Sequence, residues 1–313
     1  MILATTLEEE VKDISQRDLF QFDIHDWETW GRVFRSTDLF TPLVKRIFAI
    51  EGLDFTELEN CKPGTNGVFR VGDYIAKVFV PLESGYDSEP DYRSELYALH
   101  RANSLGVSVP RLVANGAVQD RYLFRYLIMD YVAGETLGDI KSSLAPEHKV
   151  RIGESLRRIV HCWATPCEDF NGVDAIARTL ASKRWIDASV SLRAEQQVLL
   201  SAMRLQPQVY VHGDLTEDNL IVTGGGAITV VDFADSLRAP AIYEDMTIIC
   251  DAFSFDSHFL RGYYGNRSTE ELADLCFKAT LCHEYGYNVI RSVLGVPSDC
   301  ADLKRRIMER LSG

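Results

Sequence analysis

Apolar and polar positions divide the chain into three regimes. Over residues 1–50, apolar residues recur at helical spacing among mixed charges, which predicts helices over Leu7–Leu19, Asp26–Phe34 and Leu39–Ile50. Leu39, Leu43, Ile47 and Phe48 share one face of the third, and Ser36-Thr37-Asp38 offers its cap. From Phe55 the pattern turns to short strands, Phe55–Leu58, Val68–Val71 and Tyr74–Val80, with Pro63–Gly67 joining the first two. Leu96, Leu99 and Ala102 then mark a helix that ends near Gly106. Val107–Val113 leads into another strand, and Tyr122–Tyr131 reads as a long apolar one. Beyond 138 the spacing is helical over Ser143–Trp163, Val173–Trp185, Ala194–Met203 and 269–285. Ser268 and Glu271 form a capping box before the last of these. No internal repeat or low-complexity segment interrupts this order.

The stretch 210–235 breaks the helical regime and carries the densest chemistry. It holds His212-Gly213-Asp214, then Asn219 five residues after the aspartate, then Asp232 eighteen residues after it. Leu220–Val222 and Ala227–Phe233, joined by Gly224–Gly226, predict a β-hairpin with a glycine turn. Asp214 and Asn219 lie before its first strand and Asp232 ends its second, so the three side chains can converge at one end. Asn219 and Asp232 offer the oxygen ligands that Mg²⁺ prefers. Asp214 is left to accept a proton from a hydroxyl nucleophile. This is a constellation for phosphoryl transfer.

His212-Gly213-Asp214-Leu215, Asn219 and Val231-Asp232-Phe233 resemble the catalytic segment of the aminoglycoside phosphotransferase and choline kinase-like family, the small-molecule branch of the protein-kinase-like fold. Protein kinases carry Arg where this chain has Gly213. The resemblance implies an α+β, bilobal fold with a small antiparallel-sheet N-lobe and a mainly helical C-lobe. Its expected divisions are a helical extension over 1–50, an N-lobe over 51–132 and a C-lobe over 133–313. It further implies a Mg²⁺-dependent transfer from ATP, with GTP as an alternative donor. Lys77, in an apolar strand, would hold phosphates, and Glu95, on the following helix, would position it. Thr65 and Asn66, in the glycine-bearing turn, would lie at the phosphates. Met129 would flank adenine, with backbone groups of Asp130 and Val132 on its edge. His212 is expected to brace the loop, and Asp245 to tether the catalytic loop's backbone. Only twelve residues separate Asp232 from Asp245, and Asp232-Phe233-Ala234 lacks a glycine hinge. Both features point to a small-molecule hydroxyl rather than a peptide.

Composition narrows the partners. The 313 residues carry 33 Lys+Arg against 46 Asp+Glu, a net charge of −13. That argues against nucleic acid and anionic membrane surfaces, and it is compatible with a cationic acceptor. The N-terminal stretch lacks a signal-peptide pattern, and no apolar run is long enough to span a membrane. The seven cysteines show no paired metal spacing, and Cys162 and Cys167 read as ordinary thiols. A cytoplasmic protein without an obligate protein partner is expected. The expected acceptor is an aminoglycoside-type antibiotic, with Glu217, Asp235, Asp251, Asp256 and Glu284 as candidate carboxylates for its amines. The alternatives are a housekeeping kinase of choline, sugars or amino alcohols, and a catalytically silent nucleotide-binding scaffold.

Overall fold

A five-stranded antiparallel sheet organises the first of two units in the computed structural model, which describes residues 18–62, 64–223 and 226–313. The strands are β1 (Glu59–Asn60), β2 (Gly67–Val71), β3 (Tyr74–Val78), β4 (Leu112–Gln119) and β5 (Leu123–Asp130), in the order β1-β2-β3-β5-β4. This unit runs up to Tyr92 and resumes over Leu112–Tyr131. The predicted helix over Leu7–Leu19 falls almost wholly outside the described residues, as do Pro63 and the turn glycines Gly224 and Gly225.

One face of the sheet is sealed by α1 (Trp27–Val33) and α2 (Thr37–Ile50). Asp26 caps α1 by accepting the Thr29 N–H at 2.7 Å, and Ser36 caps α2. The predicted apolar face of α2 is buried: Leu43, Ile47 and Phe48 join Phe69, Val71, Ala76, Phe124 and Ile128 in one core. Phe20 sits at the centre of an edge-to-face cluster, with ring centroids 5.0 Å from Phe40 and 5.2 Å from Phe124. The Asp120 carboxylate fixes the chain there by accepting the Leu19 and Phe20 N–H groups, each at 2.9 Å.

The strand predicted over Phe55–Leu58 is absent. That segment is extended but unpaired, and pairing begins only at Glu59, opposite Arg70. Its apolar alternation reflects packing of Phe55 and Leu58 against the core rather than a place in the ladder.

The second unit comprises Arg93–Arg111 and Val132–Gly313 and is mainly helical. α3 (Glu89–Ser104) carries the chain into it. Next come β6 (Glu135–Thr136), α4 (Leu137–Ile140), α5 (Pro146–Trp163), α6 (Ala175–Ala181) and α7 (Val190–Met203). α5 starts three residues later than predicted because Pro146 occupies its first turn, where a missing N–H costs nothing. Two small sheets follow. β7 (Gln208–Val211) pairs with β10 (Leu237–Pro240), and β8 (Leu220–Thr223) lies between β6 and β9 (Ala227–Val230). The predicted hairpin is therefore present, but its second strand stops at Val230, so Asp232 lies two residues beyond it rather than at its end. α8 (Asp245–Thr247) runs into a π-helical turn over Ile248–Ala252, followed by α9 (Ser257–Tyr264), α10 (Thr269–Cys282), α11 (Gly286–Val289) and α12 (Cys300–Ser312). The capping box at Ser268 and Glu271 forms as predicted.

α5 and α9 cross with backbones in contact. A Cβ on Gly153 would lie 2.3 Å from the Phe259 carbonyl oxygen, and one on Gly262 would lie 2.2 Å from that of Val150. Among the described residues no helix is long and apolar enough to cross a membrane, and all seven cysteines are free thiols.

Phe20→Ala empties the middle of the aromatic cluster. It is expected to cost ~3–5 kcal/mol, read as a lower urea midpoint at unchanged slope.

Candidate active site

The β7–β10 ladder sets the site's geometry. It aligns Val211 with Leu237, which brings the loop leaving β7, His212–Asp214, against the segment entering β10, Asp232–Ser236. Tyr210 and Ser236 hydroxyls lock that register at 2.9 Å.

Backbone groups of the loop are held on both sides by buried side chains. Glu244 accepts the His212 N–H at 2.7 Å through Oε2 and the Gly213 N–H at 2.9 Å through Oε1. His283 Nε2 meets the Gly213 carbonyl at 3.0 Å, while its Nδ1 accepts the Tyr285 N–H at 3.1 Å. With Nδ1 an acceptor, Nε2 carries the proton and donates. Burial lowers the His283 pKa to about 3, which keeps the ring neutral. Gly213 has φ +80°, and a Cβ there would lie 2.4 Å from the Asp235 carbonyl oxygen. Glycine is thus required twice, by conformation and by space.

His212 is fully buried, stacks on Trp163 and packs at a tilt against Phe233. Its Nδ1 accepts the Asp214 N–H at 3.2 Å and its Nε2 meets the Val231 carbonyl at 3.2 Å. The Val231 N–H in turn donates to the Asn219 carbonyl at 3.0 Å. One residue, Val231, thereby ties the loop, Asn219 and the start of the Asp232 segment together. His212 braces the loop, as the sequence led one to expect.

Asn219 Nδ2 donates to the Asp214 carbonyl at 2.8 Å and to its Oδ2 at 3.0 Å. The amide's Nδ2 side is engaged by Asp214, and its Oδ1 points elsewhere. Asp232 takes a left-handed conformation, φ +61°, which is rare for a residue with a side chain and is typical of functional turns. The Asp214 carboxyl is pushed up to about 8, first by burial and then by the neighbouring Asp235, Asp232 and Asp251. Asp214, Asn219 and Asp232 are thus brought into one electrostatic cluster.

The profile of the phosphotransferase enzyme family matches residues 64–274, about two-thirds of the chain. The chain belongs to that family. No curated protein sequence matches it. Among solved structures, the GDP and kanamycin complex of APH(2″)-IIia superposes with a TM-score of 0.57 at 15% identity, covering 86% of this chain and 98% of that one. The choline kinase LicA from Streptococcus pneumoniae gives 0.54 at 15% identity over 87% and 98%. The GDP complex of wild-type aminoglycoside 2′-phosphotransferase-IIIa gives 0.57 at 16% over 89% and 98%. This phosphotransferase therefore has the kinase-like α+β fold that the motif implied.

The remaining predicted residues of the phosphotransferase are distributed as follows. Lys77 is buried on the interior strand β3, opposite Val68 and Leu127, with its ammonium 5.5 Å from the Phe79 ring centroid. Glu95 is buried on α3, in the portion belonging to the second unit. Met129 and Asp130 end β5, and Val132 follows at the start of the second unit. Thr65 is exposed, and its carbonyl accepts the Trp30 indole N–H at 2.9 Å. Asn66 is buried, and its Oδ1 accepts the Val80 N–H at 3.2 Å, an internal anchor for the turn.

Asp245 does not tether the loop. It accepts the Tyr264 hydroxyl at 2.7 Å, and the tether is its neighbour Glu244. Glu244 and His283 carry no motif of their own, and sequence reasoning missed both. Four of the five candidate amine-binding acids are paired with basic side chains. Glu217 pairs with Lys141, and Asp256 with Lys149 at 2.7 Å. Glu284 bridges Arg178 at 2.5 Å and Arg184 at 2.7 Å, and Asp235 faces Arg178 at 3.7 Å. Asp251 accepts the Glu217 N–H at 3.0 Å and lies in the field of Lys141.

Two predictions follow from the clamp. Glu244→Gln leaves one amide oxygen for two N–H groups and sets an NH₂ against the other. The buried donor left over is expected to cost ~1–3 kcal/mol, measured by chemical denaturation, with a parallel loss of turnover. Burial raises the Glu244 carboxyl from 4.5 to about 7. Between those values the unfolded chain releases a proton that the native chain keeps, so stability falls as pH rises through that window. Tm is expected to drop from pH 5 to pH 7.5, with a smaller drop in Glu244→Gln.

Proposed function

We propose that this phosphotransferase moves the γ-phosphoryl group of a nucleoside triphosphate, ATP in the first instance, to a hydroxyl of a small molecule. The observation that carries the reading is the contact of Asn219 with Asp214 on a backbone clamped by Glu244 and His283, with Asp232 in the same field. Asp214 is the general base. It takes the hydroxyl proton as the acceptor oxygen bonds to phosphorus, and the bond from phosphorus to the leaving diphosphate oxygen breaks. Asn219 Oδ1 and the Asp232 carboxylate are the oxygens for Mg²⁺, which takes few protein ligands when nucleotide phosphates supply the rest. When bound, the ion would neutralise phosphate charge. Lys77 and Glu95 supply the phosphate-side charge pair, the turn at Thr65 and Asn66 approaches the phosphates, and Met129, Asp130 and Val132 form the adenine edge.

Two acceptor classes were raised by the sequence, an aminoglycoside and a metabolite alcohol. The ion pairs of Glu217, Asp256 and Glu284 with Lys141, Lys149, Arg178 and Arg184 favour the second. A polycation would have to displace those partners and leave their charges facing its own.

Asp214→Asn is expected to lower kcat by ~10²–10⁴-fold while leaving nucleotide affinity near that of the parent. Asp232→Asn is expected to weaken nucleotide binding with Mg²⁺ far more than without it. ADP release, with calorimetric titration of ATP with and without Mg²⁺, reads both. Full activity in Asp214→Asn would overturn the assignment of the base.

A further inference from the structure

We propose that Arg178 and Arg184 form an acceptor-recognition site for a carboxylate, so that the hydroxyl phosphorylated by this chain belongs to a hydroxy acid. The proposal rests on the reading of Asp214 as the base and names the substrate class of that same site. Arg178, on α6, reaches Glu284 at 2.5 Å through Nε and faces Asp235 at 3.7 Å through Nη2. Arg184 reaches the other Glu284 oxygen at 2.7 Å and stacks its guanidinium 4.0 Å over the Tyr285 ring. Glu284 thus draws two guanidinium groups to one carboxylate, Arg184 by a hydrogen bond and Arg178 by a close ion pair whose Nε lies outside hydrogen-bond geometry, and planar guanidinium forks can match a second carboxylate in bidentate fashion.

The pair adjoins the reaction centre. His283, one residue before Glu284, holds the Gly213 carbonyl of the catalytic loop. Asp235, which Arg178 faces, is the largest carboxylate influence on Asp214, and its carbonyl packs on Gly213. A ligand anion on Arg178 would therefore place an attached hydroxyl on the Asp214 side.

Three features separate this cluster from an ordinary surface ion network. The Arg178–Asp235 contact, at 3.7 Å, exceeds hydrogen-bond length, so Asp235 holds the guanidinium only loosely. Both arginines remain reachable, with side-chain exposures of 29% and 37%. Beneath them the Tyr243 hydroxyl is buried without a hydrogen bond of good geometry, although the Glu284 N–H lies near it. Tyr243 stacks on His283 at 4.2 Å and shares the field of Arg178, Glu284 and Asp235. A buried donor without a bond is costly, and an incoming carboxylate would supply its acceptor. An acid bound there would take the position that Asp235 holds in its absence.

The test compares glycerate and gluconate with glycerol and sorbitol, and with choline and kanamycin. It reads ADP release and, separately, thermal stabilisation of the full chain by each compound alone. The acids are expected to stimulate ADP release and to raise Tm, and the neutral and cationic compounds are not. Arg178→Lys keeps the charge without the fork and is expected to raise KM for the acid at least ~tenfold with a much smaller change in kcat. Asp235→Asn removes the competing carboxylate and is expected to lower that KM, a change that a purely structural ion pair would not produce. Turnover of polyols, choline or kanamycin with no response to acids would overturn the carboxylate site and leave phosphotransfer standing. Acid-dependent stabilisation that vanishes in Arg178→Lys, without ADP release from any acceptor, would keep the site and overturn phosphotransfer. No stabilisation and no turnover with acids would end the proposal.

Discussion

The second unit depends on one carboxylate in an apolar interior. Glu244 takes two successive peptide N–H groups, those of His212 and Gly213. No helix or sheet ladder could satisfy these donors, because the chain is turning away from β7 at that point. Burial opposes the charge that makes Glu244 a good acceptor, and the two donors partly restore it. With the backbone fixed there, the Asp214 carboxyl has little freedom, and Asn219 and Val231 complete the frame around it. The candidate groups lie on a loop in which the N–H groups of His212, Gly213 and Asp214 and the Gly213 carbonyl are all bonded to side chains.

The surroundings explain the electrostatics. Burial and three neighbouring carboxylates raise the Asp214 carboxyl. Lys141, Lys149, Arg178 and Arg184 offset the charges of Glu217, Asp256 and Glu284.

Much of this was legible in the chain because local spacing determined it. His212, Asp214, Asn219 and Asp232 lie within 21 residues, and one hairpin and one short ladder suffice to gather them. The faces of α2 and α3 and the capping box at Ser268 are likewise local patterns. What escaped was set by distance. Glu244 is 31 residues from Gly213, and its neighbour Asp245 looked equivalent in sequence. The choice between them depends on which side of a single helical turn faces the loop. His283 is 70 residues away with no accompanying signal. The five acids near the acceptor side looked like a cationic pocket because charge counting cannot see that Arg178, Arg184, Lys141 and Lys149 return to meet them. Phe55–Leu58 alternates as a strand does, yet edge pairing starts only where Glu59 meets Arg70.

Gly213 has a further consequence. Protein kinases carry an arginine at this point of the loop, and such arginines can bind a phosphorylated residue of a distant segment and so make loop order conditional. In this chain a left-handed backbone and the Asp235 carbonyl 2.4 Å from any Cβ leave no room for a side chain. The means of installing that form of covalent regulation is thereby lost. The loop is held instead by internal anchors, Glu244 and His283, that form part of the folded chain itself.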